Sequence, residues 1–303
     1  MKTAFLFSGQ GSQYIGMGKE LCENFKESND IFELASDVLH KDIKKLCFEA
    51  DEAELAKTEN SQPAIMAVSL AAFEALKANG ITADMAAGHS LGEYAAMVAT
   101  NIISSEDGFK LISARAAAMG KCAANQNGGM CAVMGISAQE IEDICNSVDG
   151  YVIPVNYNSN AQTVIAGEAD ALEKAIAVFT EKGCKAVKLN VSAAFHSKLM
   201  QPAADEFLQT MPSVVFNAPR IPFYSNLNGE VLSDFSNMPE YLAKHIVSPV
   251  KFTTELNNMK TAGAEKFIEC GPNKVLTGLV KRTLDGVKAL NCENQKTLSK
   301  ILG

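Results

Sequence analysis

The sequence is poor in the side chains that usually serve as a general base or as a strong anion ligand. It contains four histidines, at positions 40, 89, 196 and 245, and three arginines, at positions 115, 220 and 282. Eight cysteines are scattered along the chain without a C-x-x-C pair or a neighbouring histidine. This spacing argues against a zinc site and a disulfide framework, so we expect no metal. We also expect no tightly bound cofactor.

The sequence also lacks segments that would direct a chain into or across a membrane. Its longest mostly apolar stretch, residues 64–76, is too short to span a bilayer. The N-terminal segment MKTAFLFSGQ has too few apolar residues for a secretory signal. A net charge of −8 argues against a nucleic-acid partner. We therefore expect a cytoplasmic protein that binds neither a membrane nor a nucleic acid.

The order of apolar and helical patterns predicts an α/β fold with a mainly parallel sheet. Predicted strands at 3–8, near 221–225 and at 266–270 alternate with helices, which is typical of a parallel sheet covered on both faces. The order β-α-β-β-α-β over 130–191 is typical of a ferredoxin-like unit. We expect a large domain, residues 1–124 and 194–303, and a small ferredoxin-like domain inserted into it, residues 125–193.

Gly88-His89-Ser90-Leu91-Gly92 is the strongest chemical signal in the chain. It follows a short apolar run and precedes residues that favour a helix, which is the strand–turn–helix context of a nucleophile elbow. We predict that Ser90 is the nucleophile. The backbone N–H of Leu91 would lie at a helix start, where it can stabilise an oxyanion. The alternative is an ordinary glycine-rich turn between a strand and a helix.

His196 is the histidine that we predict to be the general base. It lies where the inserted domain returns to the large domain, and clefts form at such junctions. A serine hydroxyl is a weak nucleophile until a base takes its proton, and imidazole can do so near neutral pH. The next acids along the chain, Asp205 and Glu206, belong to no motif. The sequence therefore names no acidic partner for His196.

Arg115 stands out because its segment of the chain, ISARAAAMG, contains no other charged residue. A buried guanidinium needs an anion, and its planar fork fits a carboxylate with two parallel hydrogen bonds. From these residues alone, the anion is either a protein acid or the carboxylate of a substrate.

Eight separated blocks of the sequence together closely resemble the malonyl-CoA:acyl carrier protein transacylases of fatty acid synthesis. In chain order they are GQGSQ (9–13), SQPA (61–64), GHSLGEYAA (88–96), Arg115, NYNSNAQTVIAG (156–167), AAFHS (193–197), SPVKF (248–252) and GPNKVLTGLVKR (271–282). They cover nearly the whole chain in the order of that family. The resemblance implies an α/β-hydrolase-like large domain, a ferredoxin-like insertion and an active site between the two.

The resemblance also implies a role for each candidate residue. Ser90 would attack the malonyl thioester, and His196 would act first as the base and then as the acid that protonates the departing thiolate. The backbone N–H groups of Gln10 and Leu91 would form the oxyanion hole. Arg115 would bind the malonyl carboxylate, which decides between the two anions left open above in favour of the substrate.

His245 departs from the family pattern near the implied chemistry, because family members often have glutamine at this position. The resemblance implies that the backbone carbonyl of residue 245 orients His196, and a carbonyl survives a change of side chain. The Phe195-His196 pair resembles the malonyl-selective form of the family and not the methylmalonyl form, which has serine before the histidine.

The activity implied by the resemblance is transfer of malonyl from malonyl-CoA to the phosphopantetheine thiol of acyl carrier protein, through a malonyl-serine ester. A serine thioesterase or hydrolase on the same elbow is an alternative, although its triad would normally place an acid between serine and histidine in sequence. Malonyl loading in a polyketide pathway is a second alternative. A protein that only docks the carrier is a third, and the intact Ser90, His196 and Arg115 argue against it.

Overall fold

The computed structural model describes residues 1–191 and 193–303, which form a mixed α/β fold. The strands are β1 (Lys2–Phe7), β2 (Met85–Gly88), β3 (Gly128–Met134), β4 (Val152–Ser159), β5 (Gln162–Glu168), β6 (Lys185–Lys188), β7 (Ala264–Cys270) and β8 (Lys288–Cys292). The helices are α1 (Lys19–Asn24), α2 (Lys26–Leu39), α3 (Ile43–Phe48), α4 (Glu52–Ala56), α5 (Thr58–Ala78), α6 (Gly92–Ala99), α7 (Ser105–Ala124), α8 (Ala138–Ser147), α9 (Ala169–Glu181), α10 (Gln201–Thr210), α11 (Met238–Val247), α12 (Phe252–Thr261), α13 (Val275–Thr283) and α14 (Gln295–Leu302). Residue 192, which the predicted small domain includes, lies outside the described residues.

The first sheet is parallel and has the strand order β2-β1-β7-β8. Residues 3–7 of β1 are all buried, as expected for a central strand whose two faces are both covered by helices. In the register of this sheet, Phe7 lies opposite Gly88 on one side and opposite Cys270 on the other. The loops that follow β1 and β2 therefore leave the same edge of the sheet side by side.

The second sheet is antiparallel and has the strand order β4-β5-β3-β6. Its elements follow one another as β3-α8-β4-β5-α9-β6, the predicted order, and α8 begins with a capping box between Ser137 and Glu140. The segment before α12 binds this sheet at Val250, whose N–H donates to the Val155 carbonyl and whose carbonyl accepts from the Tyr157 N–H. His89, directly after β2, contacts Asn158 in β4, so the second sheet lies beside the edge that carries the two loops.

Two predicted helices differ from the observed ones. The sequence pattern predicts a single helix over about 16–27, but the structure has α1 and α2, because Phe25 adopts an extended conformation between them. The long helix predicted to open at Ser61-Gln62-Pro63 begins at Thr58, so Pro63 lies inside it. Proline removes one hydrogen bond from a helix, but residues 60–72 of α5 are all buried, and packing stabilises this helix despite the loss.

Two predictions about strands were also wrong. The segment near 221–225 forms only isolated bridges, Ala86 to Phe223 and Tyr224 to Val231. Pro222 lies in this segment and has no N–H to give to a ladder, although its carbonyl accepts from Ala86. The C-terminal region, predicted as a pair of helices, contains the additional edge strand β8, whose mostly half-exposed residues give no strong apolar pattern. Among residues 1–191 and 193–303, no helix is both long and apolar enough to cross a membrane.

Candidate active site

Ser90 lies in the sharp turn between β2 and α6, where its backbone has a φ of 54°. The glycines on either side permit this turn. A Cβ added at Gly88 would lie 2.0 Å from the backbone carbon of Gly92, and one added at Gly92 would lie 2.1 Å from the carbonyl oxygen of Phe7. The predicted elbow is therefore present as a close contact of β1, β2 and α6, and it presents Ser90 to a cavity of about 320 Å³.

The imidazole of His196 contacts the Ser90 hydroxyl, with 2.7 Å between Nε2 and Oγ. On the other side of the ring, Nδ1 lies 3.2 Å from the His245 carbonyl oxygen and 3.0 Å from the Ser248 carbonyl oxygen. A carbonyl oxygen can only accept, so Nδ1 carries the ring proton and Nε2 is the acceptor that faces Ser90. Two backbone carbonyls thus occupy the position where a triad would have an acid.

His196 is only 3 % exposed, and burial is the main reason that its pKa falls to about 3. The positive charge of Arg115 is the second cause and His89 the third. The ring is therefore neutral at physiological pH, which leaves Nε2 free to accept a proton.

Arg115 is fully buried in α7, and its guanidinium reaches the same hydroxyl. Its Nη2 lies 3.1 Å from Ser90 Oγ, its Nη1 donates to Gln62 Oε1 at 2.7 Å, and it lies over the ring of Tyr94. Within the described ranges 1–191 and 193–303, Arg115 forms no ion pair with a carboxylate. A buried cation without a protein counter-ion beside a candidate nucleophile favours an anionic ligand.

Gln10 follows β1 and lines the same cavity as Ser90. The loop that contains it packs directly against the elbow, since a Cβ added at Gly9 would lie 2.8 Å from the His89 carbonyl oxygen. Among the residues that the structure describes, the backbone N–H groups of Gln10 and Leu91 have no backbone partner. Both are therefore available as donors near Ser90.

Several polar side chains around the elbow were not predicted from the sequence. Gln62 holds Arg115, and Asn226 accepts a hydrogen bond from the Ser90 N–H at 2.8 Å. The side chain of His245 has its Nε2 3.1 Å from Asn226 Oδ1, and its ring lies edge-on to that of His196, with 5.5 Å between the ring centroids. Gln62 belongs to the SQPA block quoted above, so the family resemblance could have pointed to it. Asn226 gives none, because most asparagines in loops are exposed.

The side chain of His89 contacts β4, with 2.8 Å between its Nε2 and Asn158 Oδ1. This contact connects the elbow to the second sheet. In the part of the chain that the structure describes, no group of three or more His, Cys, Asp or Glu side chains is arranged to hold a metal ion.

Comparison with known proteins identifies the family. Residues 4–300 match the model of the acyl transferase domain. The chain is 37% identical over 301 residues to the malonyl CoA-acyl carrier protein transacylase of Bacillus subtilis (strain 168), an alignment that covers 98% of this chain and 95% of that protein. The chain belongs to the malonyl CoA-acyl carrier protein transacylase family.

Solved structures agree with this assignment. The malonyl CoA-acyl carrier protein transacylase of Clostridium perfringens has a TM-score of 0.95 and 40% identity, with 100% of this chain and 96% of that chain covered. A malonyl-transacylase solved in complex with its type II PKS acyl-carrier protein has a TM-score of 0.95 and 33% identity, with 100% and 99% covered. The family resemblance read from the eight sequence blocks is thereby confirmed.

Proposed function

We propose that this protein is a malonyl-CoA:acyl carrier protein S-malonyltransferase of fatty acid synthesis. It moves the malonyl group from malonyl-CoA to the phosphopantetheine thiol of acyl carrier protein in a ping-pong reaction with an ester on Ser90. One observation carries the proposal: Ser90 Oγ lies 2.7 Å from a neutral imidazole and 3.1 Å from a buried guanidinium. The first group suits a general base and the second suits a carboxylate-bearing acyl group.

In the first half-reaction, Ser90 Oγ attacks the thioester carbonyl while His196 Nε2 takes the hydroxyl proton. The carbonyl oxygen becomes an oxyanion, and the N–H groups of Gln10 and Leu91 donate to it. The C–S bond then breaks, and His196 returns its proton to the departing sulfur of coenzyme A. In the second half-reaction, His196 takes the proton of the carrier thiol, the sulfur attacks the ester, and Ser90 leaves with that proton.

Arg115 selects the acyl group by binding its carboxylate. Gln62 holds Nη1 in place, whereas Nη2 donates to Ser90 Oγ. Once the ester has formed, a malonyl carboxylate would replace Ser90 Oγ as the acceptor of the hydrogen bond from Nη2. An acetyl group brings no anion, so the buried cation would stay without a counter-ion and acetyl transfer would be disfavoured.

The backbone carbonyl of His245 orients His196, and the structure adds the Ser248 carbonyl as a second acceptor for the same N–H. Because both acceptors belong to the backbone, histidine at position 245 serves this purpose as well as glutamine. The serine thioesterase alternative would normally have a carboxylate at Nδ1. The two carbonyls support the transferase.

We also propose the finer description of the fold. The first sheet with its elbow supports an α/β-hydrolase-like large domain, residues 1–124 and 194–303. The strand order β4-β5-β3-β6 supports a ferredoxin-like small domain, residues 125–193. The proposed chemistry needs no tightly bound cofactor and no metal. The proposed substrates are a coenzyme A thioester and the thiol of a carrier protein, in keeping with a cytoplasmic enzyme.

A transfer assay tests this function. Purified protein is mixed with malonyl-CoA, with and without a phosphopantetheinylated acyl carrier protein, and malonyl-carrier and free malonate are measured. We expect malonyl-carrier to form and free malonate to accumulate only slowly. Release of malonate at the same rate with and without the carrier would instead identify a hydrolase. Malonyl loading of a polyketide line is the second candidate, because one similar structure contains a type II PKS carrier, and carriers from both pathways should be compared.

A further inference from the structure

Four fully buried polar side chains lie close to the elbow without lining the cavity. We call them the elbow network: Glu93, Asn226, His245 and Glu255. Burial of so many polar and titratable groups is costly unless they bind one another. Nothing in the proposed chemistry uses these side chains directly, so their contacts call for a physical reason.

Asn226 is the centre of the elbow network. Its Nδ2 donates to the Gly88 carbonyl at 2.6 Å and to Glu255 Oε1 at 2.8 Å. Its Oδ1 accepts from the Ser90 N–H at 2.8 Å and lies 3.1 Å from His245 Nε2. A primary amide has two donors and two acceptor sites, so this side chain is fully satisfied.

Two of these bonds hold the turn itself. Gly88 precedes His89 and Ser90 follows it, so the amide of Asn226 binds the backbone on both sides of the tightest part of the elbow. Ser90 has the positive φ of 54°, a conformation that persists only where its surroundings enforce it. The backbone N–H of Asn226 donates in turn to Glu93 Oε1 at 2.5 Å, which fixes Asn226 to α6.

A third hydrogen bond connects Asn226 with His245, the residue that supports the candidate base. The His245 ring that contacts Asn226 belongs to the residue whose carbonyl accepts from His196 Nδ1. One side-chain amide thus connects the backbone of the candidate nucleophile with the support of the candidate base. We propose that Asn226 is a positioning residue that keeps Ser90 Oγ and His196 Nε2 in register. This inference rests on the roles proposed above for those two residues.

The chemistry of the site requires an amide at this position. Aspartate has nearly the same shape, but its carboxylate cannot donate to the Gly88 carbonyl or to Glu255. It would also add a charge beside two buried acids. Asn226→Asp is therefore the informative variant. Asn258→Asp is its matched control, because Asn258 Nδ2 donates to a backbone carbonyl, that of Gly229, in a partly buried position.

The test compares the rate at which a fluorophosphonate probe labels Ser90 with the final fraction of Ser90 that is labelled. We expect Asn226→Asp to slow labelling about 100-fold, the scale of a nucleophile displaced by about 1 Å. The final labelled fraction should stay complete, because a slower nucleophile is still present in every folded molecule. The kcat for malonyl transfer should fall in parallel with an unchanged KM, and Asn258→Asp should match the wild type.

If circular dichroism shows that Asn226→Asp is folded and its Ser90 is labelled at the wild-type rate, the proposal is overturned. If that variant does not fold, Glu255→Met decides in the same way, because it removes the acceptor of Asn226 Nδ2. Glu255→Gln keeps an acceptor oxygen and should restore the rate. Failure of the proposed function is a separate result: the wild type would then transfer no malonyl, while probe labelling would still measure the effect of Asn226.

Discussion

In the proposed mechanism Arg115 selects the acyl group, and its charge is the second cause, after burial, of the low pKa of His196. Its guanidinium is buried, contacts Ser90 Oγ at 3.1 Å and lowers the pKa of His196. A carboxylate that binds this guanidinium would neutralise the charge next to the imidazole. If the proposed roles hold, this single side chain couples recognition of the substrate to activation of the serine.

Replacement of this side chain should abolish the preference for malonyl. For Arg115→Ala we expect kcat/KM for malonyl-CoA to fall. The loss of transition-state stabilisation should be roughly 3 to 5 kcal/mol, the cost of breaking a buried charge pair. Transfer of acetyl should fall much less, and Ser90 should remain reactive. Steady-state kinetics with both thioesters measures the ratio, with the exposed Arg220→Ala as the control. An unchanged ratio of malonyl to acetyl would refute the carboxylate clamp.

The pH at which Ser90 loses its reactivity should be lower than the ordinary pKa of histidine predicts. Burial and Arg115 lower the pKa of His196 to about 3, well below the ordinary imidazole value of about 6.5. Since kcat/KM reports on the free enzyme, labelling of Ser90 by a fluorophosphonate should not lose rate until well below pH 6.5. In Arg115→Met, which removes the positive charge, this loss of rate should occur at a higher pH. If labelling of the wild type already lost rate near pH 6.5, the buried His196 ring would not have the low pKa described here.

At the scale of elements, the elbow depends on the absence of side chains at two positions. A Cβ at Gly92 would lie 2.1 Å from the Phe7 carbonyl oxygen, a backbone atom that cannot move without disturbing β1. We expect Gly92→Ala to destabilise the protein by about 1–3 kcal/mol and to slow labelling of Ser90. Urea unfolding measures the first effect.

Gly278→Ala in α13 is the matched control, because its nearest contact would be an ordinary 3.6 Å to the flexible Arg282 side chain. Alanine should there stabilise the helix by about 0.5–1 kcal/mol. Equal stability of Gly92→Ala and the wild type would show that the elbow does not need this close approach.

Elements with strong local signals were predictable from sequence. The elbow between β2 and α6 follows from glycines at fixed spacing, and α8 begins at its capping box. The edge strand β8 was missed because only one of its five residues is buried, so packing against β7 and not an apolar pattern defines it. The segment near 221–225 was assigned to a strand that Pro222 prevents.

The candidate site was predictable only in part. Ser90 and His196 were found from a motif and from a family resemblance, and they meet across 106 residues of sequence. The second acceptor for His196, the Ser248 carbonyl, has no side-chain signal because any residue supplies a carbonyl. Asn226 was missed because its importance comes from burial and four simultaneous contacts, which only the folded chain defines.

At the scale of the whole molecule, Glu93 makes stability depend on pH. Burial raises its pKa from 4.5 to about 8, so the native state keeps a proton that the unfolded chain has lost. The stability from this proton is complete below pH 4.5 and is lost as the pH rises through about 8. We expect Glu93→Gln, which mimics the protonated acid, to lose less stability than the wild type on this rise.

Urea unfolding at several pH values measures this difference, and the exposed Glu106→Gln serves as the control. The same dependence on pH in Glu93→Gln and in the wild type would mean that Glu93 is ionised in the native protein. The elbow network would then contain a buried charge that the proposed arrangement does not include.

The central claim is that Ser90 becomes malonylated by malonyl-CoA and passes the group to a thiol. Peptide mass spectrometry after brief mixing with malonyl-CoA tests it most directly. We predict a malonyl ester on the peptide that contains Ser90, which disappears when a phosphopantetheinylated carrier is added. An adduct on another residue, or an ester on Ser90 that the carrier leaves in place, would contradict the account.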